Sequence, residues 1–353
     1  MPLPHHQSEP SKLCQTISRL IGIGLLCLAG ASCSCENKDA DASAAALVGE
    51  LRTSLQPLSS PASAPGRLSE ATRGYLDYYR IRLDASGYQI GTFESGGETL
   101  AAQFYRSGKP GKGTVVIVHG YLDHSGSEAN LISHLAGEGY NVAIYDQPGH
   151  GLSTGERVSA WKFATYRGAF NDFLDLVSET MPPPYHAIGH SMGGTVLADH
   201  MLKAEDSPLQ RVILATPMIR DSLPRPVRRL TVVLAPLIEY VPRIPADNST
   251  DETLGPRVLA DPLQARCVSS HSARSFALWQ WRVRSAPANG WSPLVLNAGI
   301  ETVIDGEYTD RWLKRTFPKG RHITFEGSRH QLFNEVEPIR EKVMRAISEE
   351  LER

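Results

Sequence analysis

The clearest chemical signal in the sequence is a serine held between two glycines. Residues 189–193 read Gly-His-Ser-Met-Gly, with Ser191 at the centre of a Gly-x-Ser-x-Gly motif. A short strand pattern, 185–188, precedes the motif, and a helical pattern begins near Gly193. At such a tight strand-to-helix turn the serine backbone is strained and its hydroxyl is exposed above the sheet. The motif therefore predicts that Ser191 is a nucleophile.

A serine hydroxyl is a poor nucleophile at neutral pH, so it needs a base and the base needs an orienting acid. His330 fits the base, because it follows the last predicted strand, 322–325, through a short loop. The acid should follow the predicted strand 293–297, where Glu301 and Asp305 are both candidates. A glutamate is longer by one methylene, so either carboxylate could reach the same imidazole.

Acyl transfer also needs hydrogen-bond donors for the negative charge that develops on the substrate oxygen. One donor would be the backbone N–H of Met192, directly after the nucleophile. The other would be the backbone N–H of Tyr121, in the loop after His119 and Gly120. We expect His119 itself to make a structural hydrogen bond at the end of its strand.

Strand and helix patterns alternate along most of the chain, and the first two strands form a hairpin across a Ser-Gly-Gly turn. This alternation predicts the α/β class, with a mostly parallel central sheet flanked by helices. The predicted strands are 88–93, 99–105, 114–118, 141–145, 186–189, 210–215, 293–297 and 322–325, and the predicted helices are 128–137, 161–181, 192–203 and 336–353.

One long stretch, at about 219–289, interrupts the alternation between two late strands. It contains several prolines and no strand signal, but apolar residues recur near helical spacing. We expect a helical lid that lines an acyl pocket or touches a membrane, or else an ordinary helix packed on the domain. Trp279 and Trp281 line an apolar pocket or belong to the core. The apolar positions are Val227, Leu230, Val233, Leu234, Leu237, Ile238 and Val241, with Arg228 and Arg229 alongside.

The first 35 residues have the pattern of an export signal. Two positive charges precede an apolar run, 20–30, that is too short to predict a membrane span. The run leads into Leu-Ala-Gly-Ala-Ser-Cys, which resembles a bacterial lipoprotein signal with Cys33 as the lipidated residue. Cleavage near Ala31 by an ordinary signal peptidase is the alternative. We expect an exported protein, either membrane-anchored or periplasmic or secreted.

Composition limits the remaining organisation and the partners. The chain has 353 residues, 41% hydrophobic and 21% charged, as in ordinary globular proteins. A formal net charge of -2 disfavours a nucleic-acid partner, which would require a basic surface. Residues 36–66, rich in Ala, Ser, Asp and Pro, predict a disordered linker before a folded domain at 67–353.

The cysteines predict neither a metal site nor a disulfide in the main body. Four of the five lie in the first 35 residues, and no spacing fits zinc. We therefore expect Cys267 to be a small buried apolar side chain, and we expect no metal.

Together these pieces resemble the monoglyceride lipase and bacterial lysophospholipase branch of the α/β-hydrolases, which are serine aminopeptidase-like hydrolases. The resemblance implies the α/β-hydrolase fold, hydrolysis of an ester in a lipid-like substrate, and no cofactor. It places the triad acid at Glu301 and a second acid at Asp305, although the family usually has Asp at the first position. The matching pieces span about 85–350 and are 118–120, 146–153, 189–194, 298–305 and 329–330.

Three functions are compatible with these residues. The first is a lipase-like carboxylic ester hydrolase that acts on monoacylglycerol or lysophospholipid through an acyl-enzyme on Ser191, and the apolar helical insertion favours it. The second is a short-chain carboxylesterase or a proline-type aminopeptidase, but the acidic cluster that peptidases of this fold often use is not evident. The third is a non-catalytic scaffold, which would commonly lack the serine or the histidine that this chain retains.

Overall fold

The computed structural model describes residues 35, 37, 40–60, 63–82, 87–107, 112–243 and 246–353. The predicted export signal, apart from Cys35, lies outside the described residues. Ten strands are present in the described part: β1 (Tyr88–Ser95), β2 (Glu98–Tyr105), β3 (Thr114–Val118), β4 (Asn141–Tyr145), β5 (Tyr185–His190), β6 (Leu209–Ala215), β7 (Tyr240–Pro242), β8 (Cys267–Ser269), β9 (Leu294–Ala298) and β10 (Arg321–Phe325).

Eight of these strands form one sheet in the order β1-β2-β4-β3-β5-β6-β9-β10. The pairs β1–β2 and β2–β4 are antiparallel, and the remaining five pairs are parallel. Gly96 and Gly97, both with positive φ, form the predicted turn of the first hairpin. The predicted α/β fold with a mostly parallel sheet is confirmed.

Helices cover both faces of the sheet, and the middle strands are buried accordingly. On β3, Val116 and Val118 join one apolar cluster, whereas Val115 and Ile117 join the cluster on the opposite face. A strand buried on both faces is continuously apolar, which explains the unbroken β-branched run in the sequence. The helices are α1 (Ala42–Ser54), α2 (Glu70–Tyr78), α3 (Ala129–Gly137), α4 (Ala164–Thr180), α5 (Met192–Lys203), α6 (Arg225–Leu234), α7 (Leu254–Ala260), α8 (Ser270–Val283), α9 (Gly306–Thr316) and α10 (Glu337–Leu351).

The prediction of a disordered linker at 36–66 is wrong where α1 lies, at Ala42–Ser54. Asp41 caps this helix by accepting from the N–H groups of Ser43 and Ala44. Val48 and Leu51 on its inner face are buried in the same apolar cluster as α2, α3 and α10. The sequence of α1 is rich in alanine and short side chains, so its apolar face gave only a weak helical pattern. This face is buried by residues that are distant in sequence.

The insertion between β6 and β9 is only partly as expected. It contains α6, α7 and α8, but also the two-stranded sheet β7–β8, which no sequence signal indicated. Hydrogen bonds tie the insertion to the loop after β3. The Ser269 N–H donates to the Tyr121 hydroxyl at 3.0 Å, and the His124 Nε2 lies 2.9 Å from the Asp261 Oδ2.

A disulfide joins Cys35 to Cys267 at the start of β8. The expectation that Cys267 is an unpaired apolar side chain is therefore wrong, and a signal ending at residue 35 would include a cysteine of the folded protein. The same segment is held by Asn37, whose Nδ2 donates to the carbonyls of Leu259 and Asp261. Cys35 and Asn37 thus both contact the insertion.

We expect Leu51→Ala to lower the free energy of unfolding by about 2–5 kcal/mol, because it removes a buried side chain that is 1% exposed. Urea denaturation measures the loss. The matched control is Glu50→Ala on the exposed face of α1, which should change stability by less than about 0.5 kcal/mol. Equal effects from the two variants would contradict a packed α1.

Candidate active site

Ser191 lies at the turn between β5 and α5. Its backbone has φ 50° and ψ −113°, a region that typically costs a non-glycine residue about 1–3 kcal/mol. A Cβ at Gly189 would lie 2.5 Å from the Gly193 carbonyl oxygen, and one at Gly193 would overlap the Val118 carbonyl. The turn therefore requires glycine on both sides of the serine, as the motif predicts.

Ser191, His330 and Glu301 form a chain of hydrogen bonds. The Ser191 Oγ lies 2.9 Å from the His330 Nε2, and the His330 Nδ1 lies 2.8 Å from the Glu301 Oε2. Because a carboxylate only accepts, His330 donates from Nδ1, which leaves Nε2 free to accept the serine proton. This is the arrangement that activates a serine hydroxyl.

Glu301 is fixed and ionised by its other contacts. Its Oε1 accepts from the Val303 N–H at 2.8 Å and from the Ile304 N–H at 3.3 Å. Burial by itself raises the pKa of Glu301, but the His330 hydrogen bond and the two backbone donors outweigh burial and hold this pKa below its usual value. The carboxylate therefore remains charged and orients His330 at neutral pH.

Asp305, the alternative acid, has structural contacts instead. Its side chain accepts from the Tyr308 N–H at 3.0 Å and caps α9, while its Oδ2 lies 2.6 Å from the Arg220 Nη2. The Asp305 N–H also donates to the Arg220 carbonyl at 2.8 Å. Of the two carboxylates that the sequence left open, the structure brings Glu301 to His330.

The loop after β3 approaches the nucleophile through Gly120. A Cβ at this position would lie 3.4 Å from the Ser191 Cβ. Tyr121 follows Gly120 in the loop, and Met192 follows Ser191. Within the described residues, neither of these two backbone N–H groups donates a hydrogen bond to the protein. Both predicted oxyanion donors thus lie next to the nucleophile and are available to a substrate oxygen.

His119 has the structural role expected of it. Its Nδ1 donates to the Gly120 carbonyl at 2.8 Å, and its Nε2 accepts from the Gln147 N–H at 2.9 Å. Burial lowers the pKa of His119, so the ring stays neutral and fits one donor and one acceptor role.

An apolar cavity of about 160 Å³ opens beside Tyr121 and Met192. The one carboxylate among its lining residues, Asp221, is paired with Arg228, whose Nη2 lies 2.9 Å from its Oδ1. The lining is therefore mostly hydrocarbon, and its one ion pair is neutralised. The remaining lining residues are Phe163, Tyr166, Met218, Leu223, Thr231, Val268, Ser272, Ala273 and Phe276.

Known proteins resemble this chain over most of its length. A family model described as serine aminopeptidase, S33, matches residues 109–337, which is more than half of the chain. The chain belongs to this family.

Relatives of this S33 hydrolase are named as lipases. It is 25% identical over 242 residues to phospholipase YtpA of Bacillus subtilis, covering 66% of this chain and 92% of that protein. It is 25% identical over 238 residues to a monoacylglycerol lipase of Mycolicibacterium smegmatis, covering 64% and 84%. These relatives confirm the resemblance to the monoglyceride lipase and phospholipase branch.

A solved structure confirms the α/β-hydrolase fold. It is a crystal structure of a soluble variant of monoglyceride lipase from Saccharomyces cerevisiae in complex with a substrate analog. The two folds agree with a TM-score of 0.65 at 17% identity, over 75% of this chain and 96% of the other.

The two tryptophans of the insertion lie outside the cavity. Trp279 is buried in the core and donates from Nε1 to the Asp199 Oδ1 at 2.9 Å, whereas Trp281 is exposed beside Arg284. Sequence reasoning missed Phe163 and Tyr166, which reach the cavity from the start of α4. Their apolar character was visible, but a core position gives the same signal.

Sequence reasoning also missed a buried polar cluster next to the nucleophile. Asp123, Glu128 and His190 offer side-chain atoms that all lie within 4.8 Å of one another. In the described part of the chain, this is the one place where three groups that could bind a cation come together. The three residues come from the loop after β3 and from β5, so only the fold brings them together.

Proposed function

We propose that this S33 hydrolase cleaves carboxylic esters of lipid-like substrates, monoacylglycerols or lysophospholipids, through an acyl-enzyme on Ser191. The observation that carries the proposal is the hydrogen-bonded chain of Ser191, His330 and Glu301 beside an apolar cavity. The names of the relatives, a phospholipase and a monoacylglycerol lipase, point to the same substrate class.

The proposed mechanism uses groups already in place. The Ser191 Oγ attacks the ester carbonyl carbon while the His330 Nε2 takes the hydroxyl proton. The N–H groups of Tyr121 and Met192 hold the oxyanion of the tetrahedral intermediate. His330 then returns the proton to the leaving alcohol, and the same residue activates water to release the fatty acid. Glu301 stabilises the imidazolium in both steps.

The cavity favours an acyl chain over a charged amine. A peptidase that binds a substrate amine needs an available carboxylate, but Asp221 is occupied by Arg228 and lies 3.4 Å from the Gln280 Nε2. Hydrocarbon, in contrast, gains about 25 cal/mol for each Å² of apolar surface that leaves water. This favours a lipid ester over the aminopeptidase alternative.

The test is fatty-acid release from monoacylglycerol and lysophosphatidylcholine. We expect Ser191→Ala to lose activity by roughly 10⁴-fold or more, and Glu301→Gln to lose about 10³–10⁴-fold because His330 loses its orienting charge. Asp305→Asn retains a helix cap and is the matched control, with an expected change of less than about threefold.

Three results would contradict this proposal. Activity on short p-nitrophenyl esters alone would make the chain a general esterase. Peptide hydrolysis without ester hydrolysis would bring the aminopeptidase alternative forward, and a folded wild type inactive on all of these would favour the scaffold.

The cavity itself is tested with Ala273→Trp on α8. The indole would fill the space, so we expect hydrolysis of a long-chain monoacylglycerol to fall by roughly 10-fold or more relative to p-nitrophenyl acetate, in keeping with apolar pocket contacts worth a few kcal/mol. Arg282→Trp adds the same side chain on the exposed side of α8 and should leave the ratio unchanged. Parallel losses on both substrates would argue against an acyl cavity.

We also propose that the chain is exported and associates with a membrane through a lipid on Cys33 and through the exposed apolar side chains on and just after α6. The Cys35–Cys267 disulfide supports export, because disulfides persist in oxidising compartments. Val233, near the end of α6, and Leu237, in the turn after this helix, are 70% and 77% exposed. No helix of the described residues is long and apolar enough to cross a bilayer.

Fractionation of cells that express the full chain tests this. We expect membrane association in the wild type and its loss in Cys33→Ser, since stable anchoring takes more than one signal and an apolar surface alone is not enough. Cys27→Ser is the matched control within the apolar run. Reduced Cys35 and Cys267 in a cytosolic product would exclude export, and Cys33→Ser remaining on membranes would exclude lipidation.

A further inference from the structure

His190, the residue directly before the nucleophile, faces an acceptor at each ring nitrogen, one within hydrogen-bond distance and one just beyond it. Its Nε2 lies 3.2 Å from the His330 carbonyl oxygen, and its Nδ1 lies 3.6 Å from the Asp123 Oδ2. A carbonyl and a carboxylate only accept, whereas a neutral imidazole has one donor and one acceptor nitrogen. The surroundings of His190 therefore match a ring that carries two protons.

Glu128 adds a second carboxyl group to this cluster. It is 1% exposed, and its Oε2 makes no hydrogen bond within the described part of the chain. The His190 Nδ1 makes no hydrogen bond there either, although Asp123 is close enough for an ion pair. Buried carboxyl groups are costly unless a donor or an opposite charge lies beside them. An imidazolium at His190 supplies that charge, whereas an uncharged ring would not.

The cluster touches all three parts of the proposed catalytic machinery. His190 precedes Ser191, and its Nε2–H donates to the backbone of His330, the proposed base. The Thr216 hydroxyl donates to the same carbonyl at 3.0 Å. Asp123 lies in the loop that carries Tyr121, and a Cβ on Gly120 would lie 2.7 Å from its carboxylate.

We propose that His190 is a buried imidazolium, held by Asp123 and Glu128, that positions the nucleophile, the base and the oxyanion loop relative to one another. It is a positioning residue, because it contacts none of the reacting atoms. The inference rests on the proposed function for its catalytic consequence, but the charge of His190 can be measured without a substrate.

The electrostatics of the cluster agree with this arrangement. Burial lowers the pKa of His190, but Asp123 and Glu128 outweigh burial and raise this pKa above its usual value. Burial raises the pKa of Asp123, but the neighbouring His190 outweighs it and lowers this pKa. Burial raises the pKa of Glu128 to about 7, with Asp123 adding to the shift.

Glu128 is thus the group of the cluster that titrates near neutral pH. Below pH 7 the cluster holds one cation and one anion, and above it a second anion is added. The charged and titratable groups that face the cluster from its surroundings are His119 and His124 around the loop after β3, His330 after β10, and Arg243 from the insertion.

Nitrogen-15 NMR of histidine-labelled protein is the first test. We expect His190 to show the imidazolium signature at pH 7 in the wild type and to lose it at this pH in Asp123→Asn. His186, also buried on β5, is the internal reference, because burial and Arg211 lower its pKa to about 4 and keep it neutral there. A neutral His190 at pH 7 in the wild type would overturn the proposal.

Kinetics test the positioning role. Phosphonylation of Ser191 by a fluorophosphonate should slow by about 10- to 100-fold in His190→Gln, and kcat for p-nitrophenyl butyrate should fall equally while KM stays constant. His186→Gln is the matched control and should react like the wild type. Unchanged phosphonylation in a folded His190→Gln would also overturn the proposal. If the wild type hydrolyses no ester, the proposed function fails, but phosphonylation and NMR still test His190.

Glu128→Gln removes the ionisable carboxyl group but keeps a side chain of almost the same size, so it isolates the effect of Glu128 titration. Because folding raises the pKa of Glu128 from 4.5 to about 7, the stability that its protonation contributes is lost as pH rises through this interval. The unfolding free energy of the wild type should therefore decline relative to Glu128→Gln between pH 4.5 and 7. A constant difference would contradict the assignment, as would stoichiometric metal in the wild type, because a metal on the His190 Nδ1 would displace its proton.

Discussion

The turn that carries Ser191 imposes the constraint on which the rest of the structure depends. A non-glycine residue at φ 50° is strained, and it persists only where neighbouring structure fixes the backbone on both sides. Here the Ser191 N–H donates to the Ala215 carbonyl at 2.9 Å, and its own carbonyl accepts from Met218 at 3.0 Å. The neighbouring strand β6 and the segment after it thus hold the turn, and the turn holds the hydroxyl toward His330.

The parallel sheet explains how three loops that are distant in sequence converge on the site. Ser191 follows β5, Glu301 follows β9 and His330 follows β10. These three strands are parallel to one another, and β6 lies between β5 and β9. The carboxyl ends of parallel strands meet at one edge of a sheet, so the side chains that follow them can meet there. Contacts outside the triad complete the site, since His190 and Thr216 both donate to the His330 carbonyl.

The two carboxylates after β9 show how similar residues acquire different tasks. Glu301 and Asp305 are four residues apart, and both are stabilised by backbone N–H groups. Glu301 faces the imidazole, whereas Asp305 begins α9 and pairs with Arg220 from the insertion. Each carboxylate has its own partners: Glu301 has His330, and Asp305 has Arg220 and the first turn of α9. Neither carboxylate can therefore replace the other.

Some features were determined by local sequence. The Gly-x-Ser-x-Gly turn and the apolar β-branched strands follow from short-range steric and periodic rules, and they predicted the fold and Ser191. The position of His330 just after the last predicted strand indicated the base. Glu301 was narrowed to two choices, because spacing cannot show which carboxylate faces a ring. Tertiary structure decided the rest. The packing of α1, the Cys35–Cys267 disulfide, the cavity and the Asp123–Glu128–His190 cluster all join segments far apart in the chain. Their energies arise from burial and charge pairing between those segments, which no local pattern records.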